Sequence, residues 1–395
     1  MAARSNRIAI IGGKRHTIDR ALMQGLAPIL IQHPLRVDGD VLKLVPQSYI
    51  TDYENDDSFI DFLATIHRKS PLIAVMSLTE YGLLPAARAS EALGLRGLSP
   101  AVVERTRDKL LMRKALAEVV PVEAAMVHSA EDVRSFSRRV GWPVILKPRD
   151  GVGSIDIRFL RDEEELRKVS FAGKSYLAEE FLVGREFSIE AFSFDGQHMI
   201  AGINEETNAE KNVFTEFLEI AHQMPADLPE EDREAIGAFV RRVLDGLGIT
   251  DGPTHTEIIL TKDGPRLIET HTRIAGDHLT DLVQMTTGID LIGLSVAWAA
   301  RRISAAASVP YHRQGAAIRY FTPPPGRVKY VSGVTPWRAL PGVVDISLPV
   351  EVGSSIKPVH RADDRVGYVM AVAPTSSEAA SICRRVVDGI SILVE

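Results

Sequence analysis

The sequence predicts an α/β protein built from several subdomains, with α+β character after the first hundred residues. Three observations point there. Strand and helix patterns alternate from Arg7 to about residue 98, as in an open parallel α/β layer. A tight antiparallel hairpin lies within Thr254–His278. Residues 314–395 hold several short strands with turn signals, then a helix and a last strand.

The first strand, Arg7–Gly13, is an apolar run that ends in paired glycines. Gly12 and Gly13 permit a structural turn or the close approach of a phosphate. Without a G-x-G-x-x-G pattern the turn is the simpler reading. A helix follows from about Thr17, residues 72–77 are a strand, and residues 83–93 are helical. Residues 104–118 read as one charged helix that carries Lys109. A β-α-β pattern comes next. Its helix has Ser129 as N-cap and Glu131 and Asp132 in the first turn. Its second strand contains Lys147, flanked by Ile145, Leu146 and Pro148, where an unpaired charge is costly. Gly151, Gly153 and Ser154 follow in a loop whose amides suit phosphate oxygens, and residues 154–160 are a further strand.

Tyr176–Phe194 is two strands split at Val183 and Gly184, punctuated by Glu179, Glu180, Glu186 and Glu190. Those acids fit an exposed edge strand as well as a site. Residues 213–228 are a strand-like run in which Glu219 and His222 lie close together, as a satisfied core histidine or as a ligand pair. A long amphipathic helix runs from Pro229 to about Gly248, and residues 279–303 are helical. The final helix spans about Ser376 to Val387.

The hairpin carries the most chemical information. A three-residue loop, Lys262-Asp263-Gly264, places Glu257 opposite Glu269 and His255 opposite His271. Alternation puts all four on one face, which Ile259 and Leu267 continue toward the turn. Opposed carboxylates have Cβ atoms roughly 5 Å apart and repel unless a cation lies between them. A hard Mg²⁺ ion holding substrate phosphates is the commonest reason for such a pair.

Length and composition set the outer bounds. The 395 residues suffice for two to four subdomains with their own cores. A net charge of −6 argues against non-specific nucleic-acid binding. Cys383 is the single cysteine, which excludes an intramolecular disulfide and fits a reducing cytoplasm. The N-terminus shows no cleavable signal pattern, and the longest apolar run, Leu291–Ala300, is too short to span a bilayer. Small-molecule partners are expected, with no nucleic acid and no membrane.

The order of these features resembles the ATP-grasp ligases. It runs through helix lysine Lys109, strand lysine Lys147, the Gly151–Ser154 loop, and an E-x-x-L-x-G-x-E hinge at Glu179, Leu182, Gly184 and Glu186. The acids Glu257 and Glu269 follow, then Arg273. FLEIAHQMPADL, LIETHTRIAGDHLTDLV and GYVMAVAPTSSEAASICRRV look most like the L-amino-acid ligases. The resemblance implies an ATP-grasp fold in four parts. These are an N-terminal α/β domain (1–103), a lid with its leading helix (104–178), a central nucleotide, metal and substrate part with an antiparallel sheet (179–310), and a β-rich segment that completes it (311–395).

It also implies ATP and Mg²⁺, with two ions expected and Mn²⁺ as a substitute. Lys109, Lys147, Gly151, Gly153 and Ser154 would contact ATP phosphates. The Glu179 carbonyl and Leu182 amide would pair with adenine, and Glu186 with the ribose. Glu257 and Glu269 would hold metal. Arg273 and Lys147 are the implied catalytic groups. Glu219, His222, Arg273, Gly276, Asp277 and His278 would line the substrate site, and Asp277 hints at a cationic group nearby. His271 stands where many relatives carry a metal-binding Asn. Either water replaces that ligand, or His271 serves the substrate, or His255, Glu257, Glu269 and His271 form a transition-metal site. The implied activity is carboxylate–amine ligation through an acyl phosphate, joining amino acids or similar substrates, in a cytoplasmic enzyme for which a homodimer is plausible. The alternatives are a bicarbonate-using carboxylase of biotin or purine type, and a nucleotide binder without turnover.

Overall fold

The first sheet is wholly parallel. Its strands are β1 (Arg7–Ile11), β2 (Ala27–Gln32), β3 (Ser48–Ile50) and β4 (Leu72–Met76), in the order β3-β2-β1-β4. Their apolar runs are buried on both faces, as parallel strands require. Ile8 and Ile10 enter one core, and Ala9 and Ile11 the core on the other side. A computed structural model describes residues 5–150, 156–208, 218–305, 312–359 and 361–395 of the chain. Gly12 takes φ +63° and donates to the Ile31 carbonyl at 2.7 Å. An added Cβ there would meet Thr79 Oγ1 at 2.6 Å, so the glycine serves a tight structural turn.

Residues 104–118 are two helices rather than one. Pro100–Arg107 and Lys109–Ala115 are separated at Asp108, whose carboxylate accepts from the amides of Leu110 and Leu111. An aspartate that caps a new helix competes with continuation of the old one. Lys109 is therefore a first-turn residue with its amide on the Arg149 carbonyl.

The second sheet contains β5 (Ala124–Val127), β6 (Val144–Lys147), β7 (Arg158–Leu160) and β8 (Tyr176–Glu180), antiparallel and in the order β5-β8-β6-β7. Its helix, Ala130–Val140, is capped by Ser129 Oγ as expected. β8 is an inner strand, so Glu179 is not an acid on an exposed edge. Gly151, Gly153 and Ser154 lie outside the described residues.

The third sheet organises the rest. It uses β9 (Arg185–Phe194), β10 (Gln197–Asn208), β11 (Glu219–Met224), β12 (Gly252–Thr261) and β13 (Gly264–His271). The chain beyond residue 314 supplies β14 (Gly315–Tyr320), β15 (Gly326–Val331), β16 (Val343–Ser347), β17 (Ser355–Ile356), β18 (Tyr368–Ala373) and β19 (Ile392–Val394). The eight-stranded order is β13-β12-β9-β10-β11-β14-β18-β16, while β17-β15-β19 form a small separate sheet. Three C-terminal strands thus extend the sheet that carries the hairpin. The Ser376–Gly389 helix packs on them through Ala379, Cys383 and Val386. The expected helix over 279–303 is two, Leu279–Thr287 and Leu291–Ala299, broken at Gly288 and restarted by the Asp290 cap. Among the described residues no single helix is long and apolar enough to cross a membrane.

Alternation makes the sheet two-faced near the hairpin. Phe187, Ile189, Ala191, Ile203, Ile258 and Leu267 point to the helix Glu230–Leu247 and share its core. The intervening positions face the other way and are polar.

Two details of the hairpin differ from expectation. Thr261 pairs with Gly264, so the loop has two residues, Lys262 and Asp263, and Gly264 takes φ +105° inside the strand. Beyond the Glu257–Glu269 pair, Ile258 faces Leu267, so Ile268 is an extra residue in β13. This bulge sends Leu267 into the apolar core instead of continuing the acidic face.

Candidate active site

The polar face of the third sheet gathers ionisable side chains from five neighbouring strands, β13, β12, β9, β10 and β11. The expected register holds: His255 lies opposite His271 and Glu257 opposite Glu269. Across β9, Glu190 lies opposite His255 and Ser188 opposite Glu257. His255 Nδ1 is 2.6 Å from Glu190, and its Nε2 is 3.0 Å from Glu257. Burial opposes charge on this imidazole, but Glu190 and Glu257 outweigh it and push His255 up to about 10. His271 Nε2 is 2.8 Å from Glu269, and Lys109 Nζ is 2.8 Å from the other oxygen of that carboxylate. Both imidazoles thus bond to acids, His255 to Glu190 and Glu257 and His271 to Glu269. Glu257 and Glu269 offer opposed carboxylate oxygens, a donor set that suits Mg²⁺. Among the described residues, a different grouping, Glu206, Glu219 and His222, has three possible ligand atoms within 4.8 Å of one another.

Lys147 is buried, and its charge has the partner that the sequence demanded. Its Nζ lies 2.6 Å from Glu179, which also accepts Arg113 through two bonds of 2.7 and 3.1 Å. Burial works against the Glu179 carboxylate, yet Arg113 and Lys147 hold it down to about 2. Arg113 also donates to the Ile268 carbonyl at 2.6 Å, the residue at the bulge. Glu179 is paired within β8 to Ala124 on one side and Ile145 on the other, and β8 ends at Glu180. Unpaired backbone therefore starts at Phe181, and Leu182 falls in the β8–β9 connection. Replacing Glu179 with Ala strands two buried cations, and about 3–5 kcal/mol of stability should be lost. Urea unfolding measures it; a loss below about 1 kcal/mol would contradict the buried-pair account.

Arg273 follows β13 and turns back to the first subdomain. Its Nε donates to Glu80 at 2.8 Å, and its Nη1 donates to the Ile274 carbonyl at 3.0 Å. Glu80 begins the helix Glu80–Ala92 and also meets Arg107 at 3.2 Å and His271 at 3.4 Å. Burial raises this carboxyl, but His271 and Arg273 together bring it down to about 2 from 4.5. A depressed carboxyl stabilises the fold fully above its unfolded value and loses that effect as pH falls through the folded one. Glu80 and Glu179 share the window, so the urea midpoint should fall between about pH 4.5 and about pH 2. A midpoint that stays level across that window would show that these pairs do not set acid stability.

Glu219, His222 and Asp277 come together at β11 and the loop after β13. His222 Nε2 is 3.3 Å from Glu219 and 3.9 Å from Asp277. Burial lowers His222 to about 4, so the ring is neutral at neutral pH. Asp277 is not free: Arg365 meets it at 2.6 Å, donates to the Glu219 carbonyl at 3.1 Å, and stacks 3.6 Å from the Tyr320 ring centre. The hint of a cationic ligand at Asp277 is thus answered by the protein's own arginine. His278 turns to Asp281 at 2.7 Å and lies against Tyr368, apart from that trio. Glu186 accepts from Asn208 at 2.7 Å; burial and the Glu257 charge raise its carboxyl to about 7.

Three family profiles lie along the chain: ATP-grasp N-terminal domain over 18–97, ATP-grasp domain over 140–281, and L-amino acid ligase C-terminal domain 2 over 319–395. The uncharacterized protein y4rH of Sinorhizobium fredii is 31% identical over 354 residues, which cover 86% of this chain and 72% of that protein. The chain belongs to the ATP-grasp ligases. Alanine–anticapsin ligase of Bacillus subtilis is 31% identical to this ligase over 252 residues, 56% of this chain and about half (52%) of the relative's length. The crystal structure of an L-amino acid ligase from Bacillus licheniformis superposes with a TM-score of 0.86 at 25% identity, covering 100% of both chains. ATP-grasp ligases use ATP and divalent metal ions.

Four site residues of this ATP-grasp ligase escaped sequence reasoning. Arg113 had a usable signal, since it lies four residues after Lys109 on one helix face. Glu80 and Arg365 had none, because their partners are 193 and 88 residues away. Glu206 was hidden among the acids of a strand that was not singled out.

Proposed function

We propose that this ligase joins two amino acids, or an amino-acid-like acid and amine, into an amide while ATP is converted to ADP and phosphate. The acid's carboxylate attacks the γ-phosphorus and gives an acyl phosphate. The amine then attacks the acyl carbon, and phosphate leaves. The observation that carries this reading is the convergence on Glu269. Lys109 touches it, Glu257 faces it, His271 bonds to it, and Glu80 links His271 to Arg273.

In this reading Lys109 and Lys147 neutralise ATP phosphates as point charges. The β8–β9 connection receives adenine through the Leu182 amide and a backbone carbonyl beyond the strand-paired Glu179, and Glu186 receives the ribose. Glu257 and Glu269 would hold divalent metal, and their carboxylate donors suit Mg²⁺. When bound, the metal would supply charge neutralisation for the phosphates. Arg273 balances charge on the acyl phosphate and on the tetrahedral adduct. Glu219 and His222 orient the amino acid, and Glu219 accepts the amine proton. Burial, then the charges of Glu257, Glu186 and Asp277, raise its carboxyl well above the ordinary range.

The test is phosphate release from MgATP across a matrix of amino-acid pairs, with bicarbonate alone as control and mass spectrometry on active wells. Release that needs two amino acids, with a product mass equal to their sum less water, is the expected result. Release with bicarbonate alone would replace this reading with a carboxylase. Saturable ATP binding with silence throughout would replace it with a nucleotide binder.

A further inference from the structure

We infer that one of the two substrates is a short diamino acid, whose side-chain ammonium is received by Glu206. The inference rests on the ligase reading and names a substrate class for it.

Glu206 lies on β10 directly opposite His222 on β11. The facing atoms of Glu206, Glu219 and His222 are within 4.8 Å of one another. Glu206 is 9% exposed and His222 1%. Glu206 Oε2 and His222 Nε2 are buried with no hydrogen-bond partner among the described residues. The 3.3 Å approach of His222 to Glu219 lacks hydrogen-bond geometry. A native fold rarely leaves such atoms unmet unless a ligand meets them.

Charge accounting then separates the carboxylates. Asp277 is neutralised by Arg365. An α-ammonium placed between Glu219 and His222 neutralises Glu219. Glu206 remains, and among the described residues no lysine or arginine pairs with it. Burial first, then repulsion from Glu219, Glu186 and Glu257, raises the Glu206 carboxyl well above the ordinary range. A buried carboxylate without a counter-charge must take a proton or a cation. A second ammonium on the same substrate provides that cation. The closeness of Glu206 to Glu219 and His222 favours a short arm, as in 2,3-diaminopropionate or 2,4-diaminobutyrate, over the longer lysine. An ammonium also brings three donors, enough to satisfy the Glu206 oxygen left unmet.

The experiment compares 2,4-diaminobutyrate with its neutral counterpart 2-aminobutyrate, and 2,3-diaminopropionate with alanine. Each is paired with a panel of second amino acids in the MgATP phosphate-release assay. The expected result is a kcat/KM about 100-fold higher for the diamino acid, because the neutral analogue leaves a buried polar group unpaired. In Glu206→Gln that ratio should fall to within about threefold of one. The wild-type ratio needs no variant, and the urea midpoint of Glu206→Gln checks its fold. Amino-acid-dependent release with no preference for the second ammonium would overturn this inference and leave the ligase reading standing. A preference that survives in Glu206→Gln would also overturn it. Stoichiometric binding of Zn²⁺ or Mn²⁺ that disappears in Glu206→Gln, without diamino-acid preference, would reassign the cluster to a metal. No release with any amino acid, while ATP still binds, would overturn the ligase reading and this inference together.

Discussion

Glu269→Gln should lose about 10³-fold or more in kcat while the protein stays folded. The substitution keeps the shape of the side chain but only one acceptor oxygen, so one of His271 and Lys109, both 2.8 Å away, then faces an amide NH2 instead. It removes the negative charge opposite Glu257, and with it one anionic ligand of the proposed metal pair. Lys109 keeps favourable interactions with Glu257 and Glu179, so its burial is not left wholly uncompensated. Removing one partner of a buried pair costs about 3 kcal/mol at the low end, within the margin of an ordinary fold. Circular dichroism and a urea midpoint establish folding, and phosphate release with the best amino-acid pair gives kcat. Turnover at the wild-type rate would remove the carboxylate pair from the mechanism.

Arg273→Lys should reduce kcat about 10²-fold while the KM for ATP changes little. A lysine keeps the positive charge but lacks the planar fork. It cannot hold Glu80 through one nitrogen and the Ile274 carbonyl through another in the same geometry. The proposed role lies at the acyl carbon, after nucleotide has bound, so the loss belongs in the chemical step. Steady-state kinetics with ATP and each amino acid varied in turn separate the two cases. A large rise in the KM for ATP with kcat preserved would move Arg273 to nucleotide binding.

Much of this site was legible because it is local. The opposed carboxylates of the hairpin follow from strand alternation and a short turn, and the register came out correctly despite the misjudged loop length. Lys147 in an apolar strand announced a buried partner, although not which one. The bulge at Ile268 was illegible because nothing in PRLIET marks an extra residue, and its effect on Leu267 depends on the helix packed below. The helix break at Asp108 had a cue, an N-cap residue inside a charged helical run, that was outweighed by the helical propensity around it. Contacts such as Arg273 with Glu80 or Asp277 with Arg365 join segments that only the fold brings together. No periodicity or spacing encodes them.

Arg113 grips Glu179 in the second sheet and the Ile268 carbonyl in the third. Mechanically it is a rivet between two plates. The geometry of leverage follows: for any rigid swing of the second sheet, the inner strand β8 is near the fulcrum and the outer strand β7 travels the longer arc. The arm that would travel most is thus β7, while Lys147, fastened to the same rivet, would stay close to where it starts.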